Sequence, residues 1–281
     1  MATDAPPASK GPVRHRTAGA GPLLREWRDR RRRSQLDLAL DVGVSTRHLS
    51  FVETGRAKPS PELVLAIAQH LEVPLRERNT LLMAAGFAPR YHETPLDAPD
   101  MERMTTSLQR MLDAHNPYPG VVLDRQWNVV LTNMAAAVLA SGLPAELTGP
   151  PLNIFRVSLH PDGLASRTLN FDEWGSYLVT QLRRQVSLTG DGQLAALLDE
   201  VSAYPNVAEL TARKGWTSWP EQSLLIPFRV DFDGVELSMF TTLTTFGTPR
   251  DITLDELAVE LFFPADDATE AILRSTPTGE T

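Results

Sequence analysis

The chain has no cysteine, which excludes disulfides and thiolate metal sites. It also lacks any run of about 18 apolar residues, the length a membrane-spanning helix needs. The opening stretch, MATDAPPASKGPVRHRTAGAGP, is rich in Ala, Pro and Gly and has no apolar segment of the signal-peptide kind. The expectation is a cytoplasmic protein with no membrane partner. There is no G-x-x-x-x-G-K loop, no dinucleotide-binding glycine fingerprint and no H-E-x-x-H pair. No cofactor or metal is expected, and no catalytic residue is assigned.

What is present suggests two domains of different character. At 281 residues with 42% apolar content the chain is long enough for two filled cores. Its net charge of −8 is unevenly spread. Residues 1–95 hold 15 Lys+Arg against 10 Asp+Glu, a net of +5, and the remainder holds 12 against 25, a net of −13. A basic front and an acidic back point to nucleic-acid binding at the front.

From Leu23 the front half reads as short helices. PLLREWRDRRRR puts Leu24, Trp27 and Leu23 on one face and most of six arginines, Arg25 to Arg33, on the other. Ser34 is placed to cap a second helix, with Asp37 near its positive end. Leu36, Leu38, Ala39 and Val42 are its expected apolar contacts, and Gly43 ends it. Ser45 then caps a third helix after a very short turn, a helix-turn-helix arrangement. There Leu49 and Val52 point inward, leaving Thr46, Arg47, His48, Ser50 and Phe51 outside. Such groups suit base edges in a major groove: Arg for guanine, Ser or Thr for several edges, Phe for a thymine methyl. Gln35, Arg56 and Lys58 are placed for phosphates. Glu53 is expected to hold the turn rather than touch DNA. Ser60-Pro61 opens a fourth helix, and a fifth runs from about Pro74 to Ala85, ending at Gly86.

The segment SQLDLALDVGVSTRHLSFVETGRAKPSPELVLAIAQHLEVP resembles the lambda-repressor-like, Xre-type helix-turn-helix family. The match rests on the Ser-Gln opening, the Gly-Val-Ser turn, the Glu53-x-Gly55 ending and the Pro-Ser before the fourth helix. The resemblance implies DNA contacts from Gln35, Thr46, Arg47, Ser50 and Phe51, with Arg56 and Lys58 near the backbone. Ser45 and His48 complete the expected DNA-binding set.

Behind this domain, FAPRYHETPLDAPDM has three prolines and no periodicity, which marks a boundary. A helix with Met101, Met104, Leu108, Met111 and Leu112 on one face follows. Val121 to Leu123 and Trp127 to Thr132 read as strands around an Asp-Arg-Gln turn, and Asn133 begins a helix. Two more helices fall within FDEWGSYLVTQLRRQVSLTGDGQLAALLDEVSAY. Two strands then meet at the Asp233-Gly234 turn, LAVELFFP gives a last strand, and a short helix from Ala265 to Arg274 closes the chain. This order gives an α+β domain. The segments NIFRVSLHPDGLASRTLNFDEW and FTTLTTFGTPRDITLDELAVELFFPAD resemble the MmyB-like ligand-binding domain, a PAS-like module found behind Xre-type helix-turn-helix domains. That resemblance implies transcriptional control by a small apolar effector.

The expected organisation is a disordered tail (1–22), an all-α helix-turn-helix domain of five helices (23–86), a linker and connecting helix (87–107), an α+β PAS-like domain (108–274) and a tail (275–281). A sensor pocket needs apolar walls and a few directed polar groups. Phe155, Trp174, Tyr177, Met239, Phe240 and Phe246 are candidate walls. Asn153, Arg156 and His160 are candidate head-group contacts, Arg156 being suited to a carboxylate. His160-Pro161-Asp162-Gly163 reads as a turn. The expected function is a sequence-specific regulator of double-stranded DNA, acting as a homodimer and sensing an apolar or fatty-acid-like molecule. The alternatives are an enzyme or a protein-interaction adaptor tethered to DNA.

Overall fold

The computed structural model describes residues 19–214 and 224–275. Its chain separates after Arg90 into two units. The first contains α1 (Ala20–Arg30), α2 (Gln35–Asp41), α3 (Thr46–Glu53), α4 (Pro61–His70) and α5 (Leu75–Ala84). Three serines start three of these helices. Ser34, Ser45 and Ser60 each accept the backbone N–H three residues on, at 3.1, 3.1 and 3.2 Å, which satisfies an otherwise orphaned donor. Gly43 leaves α2 at φ +71°, where a side chain would be strained. Leu24, Leu38, Leu49, Val52, Val64 and Ile67 are all at most 1% exposed and form the core.

Two expectations for this unit need correction. Residues up to 18 lie outside the described set, but the helix starts at Ala20, before the expected Leu23. Gly21 is needed there, because a Cβ on it would lie 2.4 Å from the Val52 carbonyl oxygen. Leu36, expected to pack inward, is 57% exposed, as is Leu40 at 70%. Leu36 and Leu40 are four apart on the outer side of α2, while Leu38 and Ala39 take the core.

The second unit begins earlier than the expected domain boundary. The His92 carbonyl accepts the Ile252 N–H at 2.8 Å, and Thr94 Oγ1 donates to Asp251 at 2.7 Å. Much of the supposed linker is therefore tied to this unit. A 3-10 turn (Pro99–Met101) leads into α6 (Glu102–Ala114), then β1 (Gly120–Leu123), β2 (Val129–Thr132), α7 (Met134–Leu139), α8 (Ala145–Thr148) and α9 (Ile154–Leu159). A second 3-10 turn (Leu164–Arg167) precedes α10 (Phe171–Thr189), α11 (Gly192–Ser202) and α12 (Pro205–Lys214). The chain finishes with β3 (Phe228–Phe232), β4 (Val235–Thr245), α13 (Ile252–Glu256), β5 (Ala258–Pro264) and α14 (Asp267–Ser275). The expected C-terminal tail from 276 lies outside the described residues.

The five strands form one antiparallel sheet in the order β2-β1-β5-β4-β3. With its helices inserted between β2 and β3, this is a PAS-like α+β domain. Asp233 and Gly234 join β3 to β4 at φ 52° and 81°, the paired positive values that a tight hairpin turn requires. Trp127, expected in a strand, takes φ 64° and stays in the preceding turn. Asp124 holds that turn by accepting the Gln126 and Asn128 N–H groups at 2.8 Å each.

Strand alternation gives the sheet two faces. Val122, Val259 and Leu261 pack against Leu108 and Leu112 of α6. Met111, at 40% exposure, falls outside this stripe. Val121, Thr241, Glu260 and Phe262 look the other way, toward α7, α9 and α10. Asn133 fixes the edge of that second layer. Its Oδ1 accepts from Gly120 and Ala136, and its Nδ2 donates to the Leu112 and Tyr118 carbonyls, all at 2.8–3.0 Å.

Candidate functional site

The first unit presents the outward face of α3. Leu49 and Val52 anchor its inner side in the core. Arg47 is exposed, and Thr46, His48, Ser50 and Phe51 are partly exposed. Phe51 lies between two cations: the Arg47 guanidinium is 5.3 Å from its ring centre and that of Arg56 is 6.0 Å. The Phe51 carbonyl also accepts the Arg56 and Ala57 N–H groups at 2.8 and 3.0 Å. The ring thus serves as a platform that orders both arginines. Lys58 rests 5.2 Å from the Phe87 ring centre, with an exposed residue surface. Ser45 uses its oxygen as the cap acceptor, and its O–H remains a donor.

Beneath this face lies an ion pair between residues far apart in the chain. Arg28 Nε and Nη2 donate to the two Glu53 oxygens at 2.7 and 3.1 Å, with the Glu53 side chain 1% exposed. Glu53 holds the Arg28 guanidinium above its ordinary range. Gln35 Nε2 donates to the same carboxylate at 2.7 Å, which fixes the start of α2 and leaves its second N–H to donate elsewhere. Glu53 therefore joins α1, α2 and α3. The arginine run is correspondingly less of a solvated face than expected. Arg31 Nε donates to the Leu71 carbonyl at 2.8 Å, and Arg33 pairs with Asp41. Arg28 could have been found from its spacing, four residues after Leu24 on the buried side of α1.

The second unit encloses a cavity of about 510 Å³ between the sheet and α7, α9 and α10, a size suited to a small molecule. Of the expected wall residues, Phe155, Trp174 and Tyr177 line it. Trp174 stacks on Phe228 at 5.2 Å, and Phe155 meets Trp127 edge-on at 5.1 Å. The sequence reading missed Trp127, Phe228 and Phe262 as walls, and above all Glu260.

The other candidates are elsewhere. Met239 borders a smaller cavity of about 260 Å³ shared with α7 and α14. Phe240 points to the opposite sheet face and stacks on Phe263 at 5.4 Å. Phe246 packs with the α6 cluster. Asn153 is a buried helix cap: its Oδ1 accepts from Phe155 and Arg156, and its Nδ2 donates to the Gln126 carbonyl and to Asn128. Arg156 faces outward and is held bidentately by Glu200 at 2.7 Å on both arms. That partner raises the Arg156 guanidinium, and Glu200 is lowered in return. His160 borders a surface groove with Arg156 and Tyr204 rather than the cavity. Its Nδ1 accepts the Asp162 N–H at 3.1 Å, as a turn requires. Among the described residues, no three His, Asp or Glu are grouped to hold a metal ion, and no helix is long and apolar enough to cross a membrane.

These two units correspond to known families. Residues 24–78 match a helix-turn-helix family model, and residues 104–275, more than half of the chain, match the MmyB-like transcription regulator ligand binding domain. Together they define a DNA-binding transcription regulator with a ligand-binding domain. The chain belongs to the MmyB-like transcription regulator family. Among curated proteins, none matches it significantly. A solved structure with some likeness is the PAS domain from Bordetella pertussis BvgS, 15% identical, with 62% of this chain and 94% of that one covered and a TM-score of 0.24.

Proposed function

We propose that the regulator reads an operator with the outward face of α3 and that a small apolar molecule in the 510 Å³ cavity governs this binding. Thr46, Arg47, His48, Ser50 and Phe51 are assigned to the base-reading face, with Arg47 the chief donor to a guanine. Gln35, Ser45, Arg56 and Lys58 are assigned to phosphates. The observation that carries the DNA assignment is Arg47 held by Phe51 at the exposed surface of a helix whose other side is locked into the core. A homodimer on a near-palindromic site, with half-sites about 34 Å apart, fits the symmetry of such operators. The effector's apolar body is matched by the aromatic walls around Trp174, Phe155 and Phe228.

The test is selection of binding sites from a random duplex pool, followed by affinity measurements over a range of salt. Arg47→Ala is expected to cost about 1–3 kcal/mol and relax the preference at one base pair. Lys58→Ala is expected to weaken all sequences alike and to lower the salt slope by about 1. Enrichment of no sequence, or equal binding by the Arg47 variant, refutes the assignment.

A further inference from the structure

Glu260 is the residue of the cavity wall least expected there. On β5 it pairs with Leu243 of β4 on one side and Val121 of β1 on the other. Alternation sends Val259 and Leu261 to the α6 side, and leaves Glu260 with Phe262 facing the cavity. A carboxylate withdrawn from water is costly unless a cation or several donors meet it. Glu260 is half-buried, and the nearby Thr241 hydroxyl favours its charged form. Among the described residues lining the cavity there is no Lys, Arg or His, and no second Asp or Glu. Tyr177 is the other titratable group of the wall.

The electrostatics agree with this geometry. Burial pushes the Glu260 carboxyl up to about 7, against the opposing effect of Thr241. Burial likewise raises the Tyr177 phenol, and the Glu260 charge adds to that rise. Charge and aromatic surface are therefore close together. Gln181 follows Tyr177 by one turn of α10 and also lines the cavity. A negative group beside Tyr and Trp faces, in a site whose walls are mostly apolar, suits an organic cation. A fatty-acid head group would instead bring two carboxylates together, which disfavours the ionised form of both. Arg156, the residue expected to receive such a head group, is engaged with Glu200 outside the cavity.

We propose that the cavity binds an apolar molecule bearing a protonated amine, with the ammonium group paired to Glu260 beside Tyr177 and the apolar body against the aromatic walls. This rests on the reading of the cavity as the effector site. The amine donates to the Glu260 carboxylate in a charge-assisted hydrogen bond, and the pair neutralises the Glu260 charge. Binding thus favours ionised Glu260. Tyr177, raised above its ordinary value, stays neutral throughout the range in which Glu260 titrates.

The experiment is calorimetric titration of the full chain with dodecylamine, dodecanol and dodecanoate, each below its aggregation concentration, with intrinsic tryptophan fluorescence as a second readout because Trp127 and Trp174 line the cavity. The amine is expected to bind at least about tenfold more tightly than either of the others. Its affinity should rise between about pH 6 and pH 8 as Glu260 ionises, whereas a carboxylate ligand should show the opposite trend. Glu260→Gln should weaken amine binding by about 10–100-fold and leave the alcohol within about twofold. Tighter binding of dodecanoate than of the amine, an amine affinity flat or falling over that pH range, or unchanged amine binding in the variant overturns the cationic assignment while the cavity remains a ligand site. No heat and no fluorescence change with any of the three overturns the cavity reading as well. The wild-type pH profile decides the matter even if the variant proves unstable.

Discussion

Glu53 in the first unit is buried and Glu260 in the second is half-buried, and the surroundings of the two glutamates differ completely. Glu53 receives two arms of Arg28 and the amide of Gln35. Glu260 has only the Thr241 hydroxyl to favour its charge and lines a cavity. A carboxylate on one helix satisfied from two others is a structural joint, since its hydrogen bonds serve to fix all three. A carboxylate left short of partners beside a cavity raises the free energy of the empty state, and a ligand with the complementary group recovers it. Burial alone therefore does not distinguish structural charge from functional charge. The partner set does.

The same substitution at both positions should break this symmetry most visibly. Glu53→Gln removes the buried counter-charge of Arg28, leaving it only the exposed Asp29 at 2.8 Å, and is expected to cost the first unit about 3 kcal/mol, read by denaturant unfolding of the full chain. A stability change within error would remove Glu53 from its role as joint. Next in size, Gly21→Ala should cost about 1–3 kcal/mol, because its Cβ meets backbone rather than a yielding side chain.

Glu260→Gln should act in the opposite direction. The folded carboxyl sits near 7, above an unfolded value of about 4.3, so the native state holds its proton more tightly. Stability of the ligand-free second unit therefore falls as pH rises from about 4.5 to about 7 and is flat above. The glutamine variant is expected to be more stable than wild type at pH 8, by up to about 3 kcal/mol, with the gap closing by pH 4. A constant gap across that range would contradict the assignment of the proton to Glu260. Smallest of all, Arg156→Ala removes a half-exposed pair with Glu200 and should change stability by less than about 1 kcal/mol. It should leave binding to the cavity unchanged, and a large loss there would restore Arg156 as a ligand contact.

Much of the architecture was legible because its signals are local. Ser34, Ser45 and Ser60 each cap the helix that follows, Asn133 caps another, and Asp233-Gly234 makes its turn, all with partners within three residues. The inward side of α3 followed from the spacing of Leu49 and Val52. The candidate site was legible in part. Phe155, Trp174 and Tyr177 were identified by type, while Phe240 and Phe246 were misplaced because aromatic residues occur on both faces of the sheet.

By itself, then, the sequence determined the order of the five strands and of the helices other than α8, α9, α12 and α13, several helix caps and turns, and which side of the third helix would be free, since each depends on residues a few positions apart. Tertiary structure alone decided that Arg28 belongs to Glu53 and Arg156 to Glu200, pairs separated by 25 and 44 positions. It also decided the face of Glu260. In AVELFFP both alternating sets are largely apolar, because helices cover the sheet on both sides. Periodicity then cannot say which set meets the cavity, and only the pairing of β5 with β1 and β4 places the carboxylate inside it.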